Sequence, residues 1–272
     1  MRLIGNTLAL ACAAFLAVGG ARAAAVDLNT WTAASYPAVS GFDPGVWTVA
    51  SGGGSVLQSI NGQPTFFYSD FNAQGTQVRG KIKVNNNAGD DDFIGFALGF
   101  NPGDVANSNA DYLLLDWKKG TQSFDFGLPS TSGGGTALAG MAVSRVTGIP
   151  DADEFWQHTN LGGTPASSGL QELARATTMA SLGWVEGTEY EFVFDFGPNN
   201  LLVSVNGVQQ FNLAGSFGNG RMGFYNFSQA SVVYSAFEVE PGTFPGPLPE
   251  PATLALVGLS LAALGLSRRR RA

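Results

Sequence analysis

From Glu189 to Asn212 the sequence admits few folds. Glu189, Glu191, Val193 and Asp195 alternate with Tyr190, Phe192 and Phe194, a period of two that places the aromatics on the core face of a strand. Pro198-Asn199-Asn200 supplies a turn, residues 201–205 a second apolar run, and Asn206-Gly207 a two-residue hairpin signal, because both of its residues tolerate positive φ. Strands over 190–196, 201–205 and 208–212 therefore form a three-stranded meander. The same grammar governs the rest of the chain. Candidate strands at 55–60, 65–69, 77–84, 93–100, 112–118, 124–128, 141–146, 221–227 and 231–238 are divided by Gly, Asn, Asp and Pro, with no long amphipathic helix among them. The 37 glycines, 20 phenylalanines and a charged fraction of 13% agree with this, since ordinary domains carry about 25% charged residues. Coiled coil, helical bundle and disordered acidic tail are excluded by that composition, and collagen by the lack of a glycine period. The expected fold is all-β, a two-sheet sandwich of jelly-roll type. Residues 130–135 and 148–169 read as its two long loops.

Both ends read as processing segments. Arg2, the apolar stretch 8–18 and the small-x-small triplet Ala21-Arg22-Ala23 form a secretory signal over residues 1–23, cleaved after Ala23. A membrane anchor needs about 20 apolar residues, whereas Gly19-Gly20 and Arg22 break this run. The one cysteine, Cys12, lies inside the signal, and Ala9 stands where a lipoprotein signal usually has Leu. The mature protein is thus expected to have neither disulfides nor thiol chemistry.

At the other end Pro249-Glu250-Pro251 precedes an apolar run over 252–266, then Ser267 and the block Arg268, Arg269, Arg270 and Arg271. The run is short for a stable span, and the arginines would hold its end on the cytoplasmic side. The order of these parts over residues 249–272 resembles a PEP-CTERM sorting signal. That resemblance implies a Gram-negative host with exopolysaccharide, transient anchoring by the C-terminal helix, and removal of the tail by an exosortase, a membrane protease. The competing reading is a plain single-span anchor. Residues 24–240 then form the β domain and the proline-rich 241–248 a linker. Without Arg2, Arg22, Glu250 and the terminal arginines the body keeps 8 basic and 20 acidic residues, a net of about −12. Nucleic acid and anionic membranes repel such a body, and cations are drawn to it.

A second resemblance covers residues 55–240. Asp90-Asp91-Asp92 followed by Phe93-Ile94-Gly95-Phe96-Ala97-Leu98-Gly99-Phe100 is similar to the acidic triplet and Gly-aromatic strand of the thrombospondin C-terminal domain. In order there follow a strand ending in Trp117-Lys118, one ending in Thr147-Gly148, the segment Phe155-Trp156-Gln157-His158-Thr159-Asn160, Gly183-Trp184, and Gly220-Arg221-Met222-Gly223-Phe224 with Phe227-Ser228-Gln229. The resemblance implies a lectin-like sandwich of the concanavalin A/thrombospondin C-terminal type that binds calcium and serves cell–matrix adhesion. This chain lacks the family's upstream calcium-binding repeats, an Arg-Gly-Asp and cysteines in the body, so the adhesion partners of the animal proteins are not carried over.

The triplet Asp90, Asp91 and Asp92 follows Asn85-Asn86-Asn87, and crowded carboxylates and amide carbonyls suit a hard cation with 6 to 8 oxygen ligands. A solvated turn is the alternative. Asp70, Asn72 and Asp116 are possible further ligands. Asp151-Ala152-Asp153-Glu154 is a second acidic loop, expected to be solvated. Retaining glycosidases need paired carboxylates about 5–5.5 Å apart, and the Glu-x-Asp-x-x-Glu strand motif of sandwich glycosidases is missing; Glu189 and Glu191 share an outer face. His158, the one histidine, has no Gly-x-Ser-x-Gly elbow and reads as structural. Gly52-Gly53-Gly54 and Gly133-Gly134-Gly135 lack a following Lys-Ser/Thr and read as turns. Trp31, Trp47, Trp117 and Trp184 are expected in the core, with Trp156 the best exposed candidate for stacking on a sugar. The expected function is a non-enzymatic, calcium-binding adhesion or matrix module at the cell surface, holding exopolysaccharide or a surface protein. A secreted polysaccharide-active enzyme on the same fold is the competing class.

Overall fold

The computed structural model describes residues 23–128, 133–157 and 169–243. In chain order its strands are β1 (Ala24–Ala25), β2 (Thr32–Ser35), β3 (Trp47–Val49), β4 (Ser55–Gln58), β5 (Thr65–Asn72), β6 (Thr76–Val84), β7 (Phe93–Phe100), β8 (Asp111–Lys118), β9 (Gln122–Phe124), β10 (Gly135–Ala137), β11 (Gly140–Thr147), β12 (Leu170–Arg175), β13 (Glu189–Phe196), β14 (Asn200–Val205), β15 (Val208–Ala214), β16 (Arg221–Phe227) and β17 (Val232–Pro241). One sheet has the order β15-β14-β13-β6-β17-β4-β3 with β1 also paired to β17; the other runs β12-β11-β8-β7-β16-β5-β2, and β9 pairs with β10 alone. The two large sheets pack face to face as an all-β sandwich, as the strand pattern required.

The meander forms as expected. Phe192 and Phe194 of β13 enter the inter-sheet core with Val78 and Ile82 of β6, against Ile94, Phe96, Leu98, Leu115 and Trp117 of the other sheet. Asp195 is the exception on the charged face of β13: it is only 4% exposed. Its carboxylate accepts the Thr243 backbone N–H at 3.1 and 3.0 Å, which ties the residues just after β17 to β13. Pro241 ends β17 opposite Thr76, so regular structure runs into the segment read as the start of the linker.

β7 and β8 do not alternate. Every residue of β7 is buried, and all but the first of β8, because their sheet is covered on both faces. A continuous apolar run is what a strand buried on both sides demands. The outer cover comes from the segment read as a long loop. Within it, α1 (Ala152–Gln157) lays Phe155 and Trp156 on that face beside Tyr36, Phe66, Tyr112 and Tyr225. Trp156 is therefore 1% exposed, a core residue with no face free for a sugar; its ring meets Phe93 and Phe126 at 5.6 and 5.5 Å.

The acidic loop around α1 is not solvated either. Glu154 N–H donates to Asp151 Oδ1 at 3.1 Å and Asp151 N–H to Glu154 Oε2 at 2.8 Å, a reciprocal cap on the helix start. Asp153 is wholly buried and accepts the N–H groups of Phe126 and Leu128 at 3.0 and 3.1 Å. Those two amides are taken by a carboxylate instead of a sheet, so the strand expected over 124–128 is instead β9, ending at Phe124. β12 and the short β1, β2, β3 and β10 have no counterpart among the strands the sequence pattern predicts.

In β17 a register shift between Ser235 and Glu238, with Ala236 at φ 55, turns Phe237 into the core. Its ring fills the space above Gly80, where a Cβ would lie 2.3 Å from Phe237.

Candidate functional site

The loop from β6 to β7 carries the acidic triplet. Asn87 and Gly89 take positive φ (61 and 78), residue types that tolerate that region, and so reverse the chain before Asp90. One oxygen from each of Asp90, Asp91 and Asp92 lies within 4.8 Å of the others. The sequence thus placed three carboxylates together, and the structure gives each a different surrounding.

Asp92 is 2% exposed and pinned through its backbone: its N–H donates to Gln229 Oε1 at 3.0 Å, and its carbonyl accepts Trp184 Nε1 at 2.9 Å. Its carboxylate meets the ammonium of Lys118, itself fully buried at the end of β8. Burial pushes the Asp92 carboxyl up to about 7, against the lowering pull of Lys118. Lys118 Nζ also approaches Asp91 Oδ1 at 3.4 Å and Gln122 Oε1 at 3.2 Å, beneath the rings of Trp156 and Phe93 at 4.6 and 5.3 Å.

Asp91 is half-buried. Its carbonyl accepts the Lys119 N–H at 3.0 Å, and its carboxylate lies against Gly120, where a Cβ would stand 2.2 Å from Oδ2. Asp90 accepts the Asn61 amide and caps the Asp91 N–H at 2.9 Å. Asp90 and Asp91 line an open depression of about 390 Å³ with Gly89, Lys119 and Glu186. Lys119 and Glu186 pair at 2.9 Å, and with the Asn87 N–H this holds the Glu186 carboxyl below its ordinary value.

The further ligands suggested by sequence are not at this site. Asp70 and Asn72 sit at the opposite end of β5, where Asn72 pairs with Arg221 and Arg221 with Phe100, while Phe93 pairs with Phe227. Asp116 is buried within β8, opposite Gly95. The residues that do surround the triplet come from distant segments: Lys118, Trp184 and Gln229 lie in stretches that carry the family resemblance, whereas Asn61 has no signal of its own. Trp31, Trp117 and Trp184 are core residues as expected, and Trp47 is partly buried against them. Ala23 precedes β1. Ala21, His158, Pro249, Glu250, Pro251 and Arg268 to Arg271 lie outside the described residues.

The depression has a defined place in the fold. β6 starts at Thr76 beside Pro241, where β17 ends, and finishes at Val84 beside Val232. Nine strand residues at about 3.3 Å each put roughly 30 Å between that exit and the triplet loop. β1 also lies beside the exit, Ala24 opposite Val239. Both ends of the body leave from one end, and the acidic depression occupies the other.

Comparison with known proteins agrees with the sequence reading. The thrombospondin C-terminal region family matches residues 43–241, and the PEP-CTERM protein-sorting motif matches residues 247–271. Thrombospondin-2 of Gallus gallus is 27% identical over 206 residues, covering 71% of this chain and 16% of its own. Thrombospondin-3b of Danio rerio is 27% identical over 202 residues, covering 70% of this chain and 20% of its own. The chain thus spans a fifth or less of the length of these relatives. Among solved structures, the carbohydrate binding module CBM66 from Bacillus subtilis superposes with a TM-score of 0.48 at 9% identity, over 78% of this chain and 95% of that one.

Proposed function

The chain belongs to the thrombospondin C-terminal region family and carries a PEP-CTERM sorting motif, and from that footing we infer that it is a non-enzymatic adhesion or matrix module presented at the cell surface. The motif marks an exported, surface-sorted protein. In this reading an exosortase processes the tail at Pro249-Glu250-Pro251, and the body meets exopolysaccharide or a surface protein outside.

The observation that carries the reading is the polarity of the sandwich. The sorting segment follows the β17 exit, and the depression around Asp90 and Asp91 lies about 30 Å away at the other end. A body tethered at its C-terminus would turn that depression outward. The donor set fits a hard cation: Asp90 and Asp91 offer carboxylate oxygens at the rim, while Asp92 is engaged by Lys118. Calcium there would neutralise the rim of a body of about −12 and offer open coordination positions to hydroxyl or carboxylate groups of a glycan. Several buried carboxylates among the described residues have structural tasks. Asp153 holds backbone amides, Glu172 pairs with Arg175 at 2.9 Å, and Asp104 accepts the Asn101 N–H at 2.7 Å. This supports the non-enzymatic class.

The test is retention of the purified protein on exopolysaccharide from a host with an exosortase, with calcium and with chelator. Retention that needs calcium and is lost in Asp90→Ala/Asp91→Ala supports the reading. Equal elution of all samples overturns it, and release of reducing ends from the polymer would support the enzyme class instead.

A further inference from the structure

The signal read from the sequence ends at Ala23, and the first strand of the fold begins at the next residue. β1 lies antiparallel to β17, with Ala24 opposite Val239 and Ala25 opposite Glu238. Val26 N–H donates to Phe237 O at 2.8 Å. Ladder bonds recur at every second residue, so the Ala24 nitrogen is turned toward β17 as well. β1 thereby covers the part of β17 beyond β4, whose pairing stops at Ser235. From there the chain is held inward, with Val26 packed against the core and Leu28 and Trp31 buried in it. Beside β1 is a depression of about 220 Å³ lined by Ala23, Gln77, Arg79, Glu238 and Glu240. Glu238 stands opposite Arg79 and Glu240 opposite Gln77, so two carboxylates meet one guanidinium and one negative charge is left over. Among the described residues neither glutamate makes an ion pair. Asp27, the first acid along the chain from β1, is turned to Asn29, whose N–H it accepts at 3.0 Å.

We propose that this depression is the seat of the protein's own mature N-terminus: cleavage after Ala23 frees the α-ammonium of Ala24, and Glu238 and Glu240 hold it there. This role rests on cleavage at that bond. It is separate from the acidic triplet, which follows the far end of β6. In the uncut chain the Ala24 nitrogen is a neutral amide and Ala23 occupies the depression. In the cut chain Ala23 is gone, and the new positive charge brings the two glutamates and Arg79 to neutrality. Exposed pairs between long side chains contribute little, because both partners must be ordered. Here the ammonium sits on backbone that the ladder already holds, so only the carboxylates are ordered. The processed chain is therefore more stable than its precursor, and the charge that secures β1 exists only once the signal is removed. β1 is fastened at the end of the body from which the C-terminal segment also leaves.

The test uses protein recovered after export, its first residue read by terminal sequencing. Titration of the Ala24 amine, followed by its rate of acylation against pH, is expected to run about one pH unit above the roughly 7.7–8.0 of an ordinary α-amine, so that acylation near neutral pH is about tenfold slower. Glu238→Gln/Glu240→Gln should return the amine to the ordinary range. Selective acetylation of Ala24 restores the neutral amide of the precursor. It should lower the melting temperature of the wild type by about 2–4 °C and leave that of the double variant unchanged. Ordinary titration of the wild-type amine, or the same acetylation effect in both proteins, overturns the seat while cleavage after Ala23 stands. Recovered protein that begins at another residue overturns both.

Discussion

Replacing Asp153 by Ala should unfasten the outer cover of the sandwich. Its carboxylate is wholly buried and accepts two backbone N–H groups, Phe126 at 3.0 Å and Leu128 at 3.1 Å. Hydrogen bonds to a charged group contribute about 1.5–3 kcal/mol each. The donors lie on a half-buried segment that water can partly reach, so the lower figure applies, and two bonds come to about 3 kcal/mol. At roughly 2–4 °C per kcal/mol for a domain of this size, the melting temperature should fall by about 6–12 °C. Asp153→Asn keeps one acceptor and should lose about half as much. Trp156 lies on the same short helix, so its fluorescence reports the event directly, and the urea midpoint should move without a change in slope. A loss below about 1 kcal/mol would show that the carboxylate is solvated after all. Loss of a hydrolytic activity at unchanged stability would move Asp153 to catalysis.

Calcium at a hundredfold excess over its Kd should stabilise the protein by about 2.7 kcal/mol, a rise of roughly 5–10 °C over chelator, and Asp90→Ala/Asp91→Ala should abolish the difference; identical melts would make the triplet a solvated turn. Gly80→Ala forces a methyl into the Phe237 ring and should cost about 1–3 kcal/mol, read as a lower urea midpoint, with no change if the ring is free to move aside. His158→Ala should leave any hydrolytic signal of a purified sample unchanged, and a fall of more than about a hundredfold would instead mark a general acid or base.

The sandwich was legible because its signals are local. The alternation at 189–195 and the Asn206-Gly207 turn act within a few residues, and the meander followed from them. What sequence missed depends on contacts far along the chain. Asp151, Asp153 and Glu154 look like a solvated loop until it is known that the amides of Phe126 and Leu128 need an acceptor there. Trp156 was read as exposed because its segment was read as a loop; its burial follows from an unshielded sheet face that the non-alternating runs of β7 and β8 already implied. The position of the acidic triplet was readable, but its division was not. Lys118 lies 26 residues from Asp92, and only the β7–β8 register brings them together. Asp70 and Asn72 join the triplet in sequence only as further oxygen donors, and the length of β5 separates them from it.

The central claim is that this body is exported and presented by a removable C-terminal signal. It is tested most directly by mapping both termini of native protein recovered from the surface or medium of an exosortase-bearing host. The account predicts an N-terminus at Ala24 and a C-terminus near Pro249-Glu250-Pro251. Recovered protein that still carries both Arg2 and Arg271 would contradict it.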